Sequence, residues 1–128
     1  MGKYYRVYAD VEPGNIESNV KALMALTPAG TKSLAVVKAD GYGHGDVAVA
    51  KAVYSKVFGY AVATLDEAVN LRENGIDKPI LILGFVNTDE YETLVENEVA
   101  ATVFDYETAE ELSEAAKRQE RQQYAILK

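Results

Sequence analysis

The densest gathering of reactive side-chain types is the segment Ala35-Val36-Val37-Lys38-Ala39-Asp40-Gly41-Tyr42-Gly43-His44-Gly45. A lysine closes an apolar run, and three glycines follow at every second position. Ligands of α/β folds gather at the carboxyl ends of strands, which is where this lysine would stand. Apolar neighbours desolvate the amine and favour its neutral form, and only a neutral amine attacks a carbonyl. The glycines would let backbone approach an anion. A helix opening near Asp46 would turn its positive end toward a phosphate, and Tyr42 adds a hydroxyl on the same loop. An amine nucleophile beside a phosphate cradle suits an aldehyde that carries a phosphate, namely pyridoxal 5′-phosphate. The plainer reading of the same spacing is a lysine pointing into solvent before a glycine-rich turn. The dinucleotide fingerprint G-x-G-x-x-G is not matched.

Other polar residues offer less. His44, the only histidine, is read as satisfying loop backbone rather than as an acid–base group. Asp40 is two residues from Lys38, a spacing that returns to the same side of a strand, so a contact tuning the amine is open. Glu107, Glu110, Glu111 and Glu114 read as a solvated helix face, with no metal site. Tyr4, Tyr5 and Tyr8 read as core or interface rather than a stacking platform. A chain with one His cannot build a two-His metal site alone, and zero Cys excludes disulfides, thiolate zinc and a cysteine nucleophile. Twenty acidic against 13 basic side chains give a net charge of −7, a field that repels nucleic acid and anionic membranes. The densest basic stretch, Lys117-Arg118-Gln119-Glu120-Arg121, carries its own acid. The opening residues lack an apolar signal core, and no apolar run nears the roughly 18 residues of a membrane helix. We therefore expect a cytoplasmic protein.

The elements that must position Lys38 follow from periodicity. Short, continuous apolar runs at 34–37, 59–63, 80–83, 100–104 and 124–127 predict five strands buried on both faces of a parallel sheet. The intervals between them fit crossover helices. Thr64 and Glu67 have capping-box spacing ahead of a helix that stops at Asn74-Gly75, and Asn87 with Glu90 offers a second box. Asp105 can cap a helix whose Ala109, Leu112 and Ala116 share one face. Pro13 suits the first turn of a helix bearing Ile16, Val20, Leu23 and Met24. Residues 4–11 alternate loosely and predict a separate strand. Strict β/α alternation gives an α/β fold closed either as a doubly wound sheet or as a barrel, and the rhythm alone leaves that choice open. Against the roughly 250 residues of an eight-unit barrel, the 128 residues supply five strands and lack three.

The segment AVVKADGYGHG resembles the cofactor-lysine motif of the alanine racemases. The likeness continues at Tyr60-Ala61-Val62-Ala63-Thr64-Leu65-Asp66-Glu67-Ala68, at Leu71-Arg72-Glu73-Asn74-Gly75-Ile76 and at Pro79-Ile80-Leu81-Ile82-Leu83-Gly84. These blocks keep the family's order and cover nearly the whole chain, corresponding to about the first third of a family member. The resemblance implies an α/β fold of (β/α)8 TIM-barrel type with about the first five strands present here. Residues 1–12 would form a strand packing outside the barrel, and residues 13–128 the first part of the barrel. Lys38 matches the lysine that forms the cofactor aldimine and acts as the base on one face of the substrate. Tyr42 matches the tyrosine that contacts the cofactor phosphate, and Leu83 a leucine near the cofactor ring. Lys128 falls where some members carry a carbamylated lysine.

The implied reaction interconverts L- and D-alanine on pyridoxal 5′-phosphate in a homodimer. The opposing base is a tyrosine from the partner subunit's C-terminal domain. None of the nine tyrosines here lies in that motif, so the 128 residues alone are expected to be inactive. A chain ending on strand five would leave an unpaired edge and would associate. Residues 54–58 replace the glycine-containing helix end expected from the family. Rival readings are a non-catalytic barrel protein that binds the cofactor for its homeostasis, lacking the Tyr42-to-Gly45 continuation, and a truncated or engineered half-barrel fragment. A related decarboxylase fits the loop after the lysine less well.

Overall fold

Five short strands run parallel in the computed structural model, which describes residues 7–128. They are β1 (Leu34–Val36), β2 (Gly59–Val62), β3 (Ile80–Ile82), β4 (Ala100–Val103) and β5 (Ala125–Leu127). Helix α1 (Pro13–Ala25) precedes β1. Turn α2 (Lys38–Gly43) and helix α3 (Asp46–Val53) follow it. Helices α4 (Leu65–Glu73), α5 (Tyr91–Glu96, entered by a 3₁₀ turn at Thr88–Glu90) and α6 (Tyr106–Arg118) make the later crossovers. Residues 7–12 contain no strand, and the rest of the strand expected over 4–11 lies outside the described residues.

Spatial order is β1-β2-β3-β4-β5. Each crossover steps one place in the same direction, which is how a (β/α) barrel grows. A doubly wound sheet reverses its order at a switch point, and no reversal occurs here. The sheet is an arc of a barrel, with helices on its outer side.

Alternation along the strands separates two faces. Val37, Tyr60, Val62, Ile80, Ile82, Ala101 and Val103 are buried against the helices. Leu34, Val36, Leu83, Phe104 and Ile126, of opposite parity, line the concave side and are 38–47 % exposed. Burial on both faces, expected for all five strands, holds for β2, β3 and all but the first residue of β4. β1 and β5 are the edges of the arc and remain largely exposed. At the start of β2 the backbone passes so close to its neighbour that a Cβ on Gly59 would lie 2.4 Å from the Pro79 carbonyl oxygen. Only glycine fits there.

The expected caps form. Glu67 N–H donates to Thr64 Oγ1, while the Glu67 carboxylate accepts from Thr64 N–H. Glu90 likewise accepts from Asn87 N–H at 2.9 Å. Asp105 Oδ1 accepts from Thr108 N–H at 2.8 Å, and Pro13 opens α1. The buried face of α6 is Leu112, Ala115 and Ala116, so Ala109, expected on it, is exposed instead. In α1, Ile16 and Val20 pack on the core but Leu23 is 64 % exposed. Residues 54–58 make an ordinary connection: Val57 is buried, and the Tyr54 hydroxyl hydrogen-bonds Asp77.

At the amino-terminal ends of the strands, Arg72 fastens two connections, α4 to β3 and α5 to β4. Its Nε donates to the Asn97 carbonyl at 2.9 Å, Nη1 to Ile76 and Lys78 at 2.7 and 2.8 Å, and Nη2 to Glu98 at 3.1 Å. The planar fork reaches all four acceptors at once. Burial pulls its pKa below the usual value.

Candidate functional site

Lys38 stands just past β1, on the parity of Leu34 and Val36, and so on the concave side of the arc. It is half-buried rather than enclosed. Its Nζ lies 6.0 Å from the centroid of the Tyr42 ring, and no ion pair ties it to an acid among the described residues. The paired register Val36↔Ala61 and Val62↔Ile82 brings Lys38, Ala63 and Leu83 to the carboxyl ends of three neighbouring strands. Lys128 ends the same concave face on β5, its Nζ 5.8 Å from the Phe104 ring centroid.

The segment after the lysine is not an open glycine loop. Ala39, Asp40, Gly41 and Tyr42 all have left-handed backbone, with φ between 52° and 60° and ψ between 38° and 53°. L-residues avoid that region at about 1–2 kcal/mol each, and three of the four carry a Cβ. Strain of this kind gathers at functional sites, where surrounding contacts impose it.

Those contacts are specific. Gly41 N–H donates to the Val37 carbonyl and Gly45 N–H to the Asp40 carbonyl, both at 2.9 Å. His44 Nδ1 lies 3.0 Å from the Gly41 carbonyl oxygen and 3.1 Å from that of Tyr42. Two acceptors facing one ring nitrogen require Nδ1 to carry the proton. His44 is therefore a clasp on loop backbone, as its position suggested. A Cβ on Gly41 would lie 3.2 Å from Asp46 N, so glycine there serves both the turn and the close approach of α3.

Geometry corrects one expectation drawn from spacing. The first two amides of α3 are already satisfied: Asp46 N–H donates to Asp40 Oδ1 at 3.1 Å and Val47 N–H to Asp46 Oδ1 at 2.6 Å. The protein's own carboxylates fill the positive end of the helix, leaving no phosphate cradle at that point. The same bond accounts for Asp40, which caps α3 instead of meeting Lys38. Of the groups expected to hold an anion, the Tyr42 hydroxyl remains, on a side chain 59 % exposed.

One residue was legible only in part. Glu67 has the capping-box spacing, but its carboxylate also reaches across to the turn: Oε1 accepts from Ala39 N–H at 2.7 Å, and Oε2 from Ala63 N–H at 2.7 Å. Nothing local to Glu67 signals a partner 28 positions away. Asn70, on the same helix, donates to Asp46 Oδ2 at 2.9 Å and ties α4 to α3.

The family described as alanine racemase, N-terminal domain, matches residues 11–128. The chain belongs to this family. Alanine racemase 2 of Oceanobacillus iheyensis is 44 % identical over 117 residues, covering 91 % of this chain and 30 % of that protein. An alanine racemase of Streptococcus pyogenes serotype M5 is 50 % identical over 88 residues, 69 % of this chain and 24 % of that protein. The alanine racemase of Clostridium difficile 630 superposes with a TM-score of 0.84 at 38 % identity, covering 87 % of this chain and 30 % of its own. The chain thus spans 30 % or less of these relatives' length. Its five-stranded arc is part of the alanine racemase N-terminal barrel, and the resemblance seen in its motifs is a family membership.

Proposed function

We propose that this chain supplies the lysine face of an alanine racemase that interconverts L- and D-alanine on pyridoxal 5′-phosphate. The observation that carries the reading is the place of Lys38: a primary amine at the carboxyl end of β1, on the concave face, in a chain of the alanine racemase family. The residues present suit the cofactor. Among the described residues Lys38 has no acid partner, the exposed Tyr42 hydroxyl stands on the adjoining turn, and Leu83 adds an apolar side chain just past β3. With α3 closed to anions, Tyr42 is this chain's phosphate contact.

When bound, the cofactor draws electrons from the substrate Cα–H bond and makes that proton acidic. Lys38 holds the cofactor, then removes or returns the Cα proton on its own face of the substrate. The turn after Lys38 sets the direction of the lysine, and Leu83 would offer the cofactor an apolar contact. A base on the opposite face must come from outside these 128 residues. The working protein is then a homodimer in the cytoplasm, acting as an isomerase. No helix among the described residues is long and apolar enough to cross a membrane.

Grafting this chain in place of the matching segment of the Oceanobacillus racemase tests the reading. The graft is expected to racemise alanine and its Lys38→Ala form is not, while the 128 residues alone remain inactive. A Lys38→Ala graft that still racemises alanine contradicts it.

A further inference from the structure

We propose that Glu67 is the positioning residue for Lys38, its carboxylate tying the left-handed turn after the lysine to the end of β2. The proposal rests on the reading of Lys38 as the cofactor-binding amine.

Ala39 N–H is the first backbone donor after Lys38. Within the turn, the donors of Gly41 and Gly45 find backbone carbonyls, but the donor of Ala39 is met by Glu67 Oε1 at 2.7 Å. The other oxygen of the same carboxylate accepts from Ala63 N–H at 2.7 Å and Thr64 N–H at 3.3 Å. Ala63 directly follows β2, the strand paired with β1, so one half-buried carboxylate bridges the segments that leave the two neighbouring strands. The amino terminus of α4 favours negative charge at that point, and charge-assisted bonds to backbone N–H are among the stronger ones. No other side-chain hydrogen bond links the strained residues 39–42 to β2 or α4 among the described residues. Asp40 and His44 hold the turn to α3 and to itself. Without Glu67 the peptide joining Lys38 to Ala39 is held only by the turn's own backbone bond from Gly41 N–H to the Val37 carbonyl, and the direction of the lysine side chain is less tightly set.

A helix cap alone would make a different prediction. Thr64→Ala removes the reciprocal half of the capping box and leaves the Ala39 bond in place. Glu67→Gln keeps the shape but has one acceptor oxygen. That oxygen stays with the two donors of Ala63 and Thr64, so the NH₂ group faces Ala39 N–H and that bridge is the one lost.

Both variants of the full chain are compared with wild type in two measurements. In the first, without cofactor, amide hydrogen exchange at Ala39 is read against Ile82 in β3 as an internal standard. Ala39 is expected to exchange roughly tenfold or more faster in Glu67→Gln relative to that standard, and to be unchanged in Thr64→Ala. In the second, pyridoxal 5′-phosphate is added, and the rate of borohydride trapping at Lys38 is followed across pH. The rate is expected to fall roughly 10–100-fold in Glu67→Gln with a displaced pH profile, while Thr64→Ala tracks wild type. Unchanged Ala39 exchange in Glu67→Gln, or an equal change in Thr64→Ala, overturns the proposal. Wild-type trapping in Glu67→Gln overturns it too, yet leaves Lys38 as the cofactor lysine. If wild type is not trapped at Lys38, the cofactor reading fails, and the exchange result alone decides whether the tie exists.

Discussion

Ala39, Asp40 and Tyr42 take a backbone that side-chain-bearing residues avoid, and they take it beside the one amine the proposed chemistry needs. Gly41 relieves the turn at its tightest point. Gly41→Ala is expected to lower stability by about 1–2 kcal/mol, from its φ of +60° and from the 3.2 Å approach to Asp46 N. Urea denaturation checks this, and an unchanged midpoint would show that the turn does not require glycine. At this scale the sequence was informative about residue types and poor about conformation. Lys38, Tyr42 and Leu83 were singled out from their motifs and lie on the concave side or at its rim. The left-handed turn was not foreseen, because Ala and Asp give no local sign of it. Its support comes from Glu67, far along the chain. The glycine spacing that looked like an anion cradle is instead the requirement of that turn.

Among the elements, β2 is the most completely buried, and Tyr60 shows how its one polar atom is accommodated. The ring is fully buried, and its hydroxyl donates to the Ala50 carbonyl of α3 at 2.6 Å. Burial pushes the phenol up to about 12, from an ordinary 10.0, with smaller contributions from Tyr54 and Asp77. The folded state therefore holds this proton more tightly than the unfolded chain. The stabilisation is complete below pH 10 and is lost as pH rises toward 12, a change of about 2–3 kcal/mol. Tyr60→Phe is expected to cost about 1 kcal/mol at neutral pH through the unpaired carbonyl. It should also flatten the loss of stability between pH 10 and pH 12 relative to wild type. Denaturation curves across that range check the difference; parallel curves for the two proteins would contradict it. The strands and the three caps at Thr64, Asn87 and Asp105 were readable, since continuous apolar runs and S/T/D/N–E spacings act locally. Double-sided burial was over-read for β1 and β5, because strand composition cannot say which strands form the edges of an arc.

For the whole molecule, the rhythm of strand and helix was legible but its closure was not. Doubly wound sheets and barrels share that rhythm, and only the unreversed order β1-β2-β3-β4-β5 separates them. That order gathers the carboxyl ends of all five strands on one rim, with Lys38 at one end of the concave face and Lys128 at the other. The central claim is that Lys38 is the group that holds the cofactor. Its most direct test is to add pyridoxal 5′-phosphate to the full chain, reduce with borohydride and map the modified peptide. The predicted result is a single label on Lys38, absent in Lys38→Ala. Label on another lysine, or retention of label in Lys38→Ala, would contradict the account.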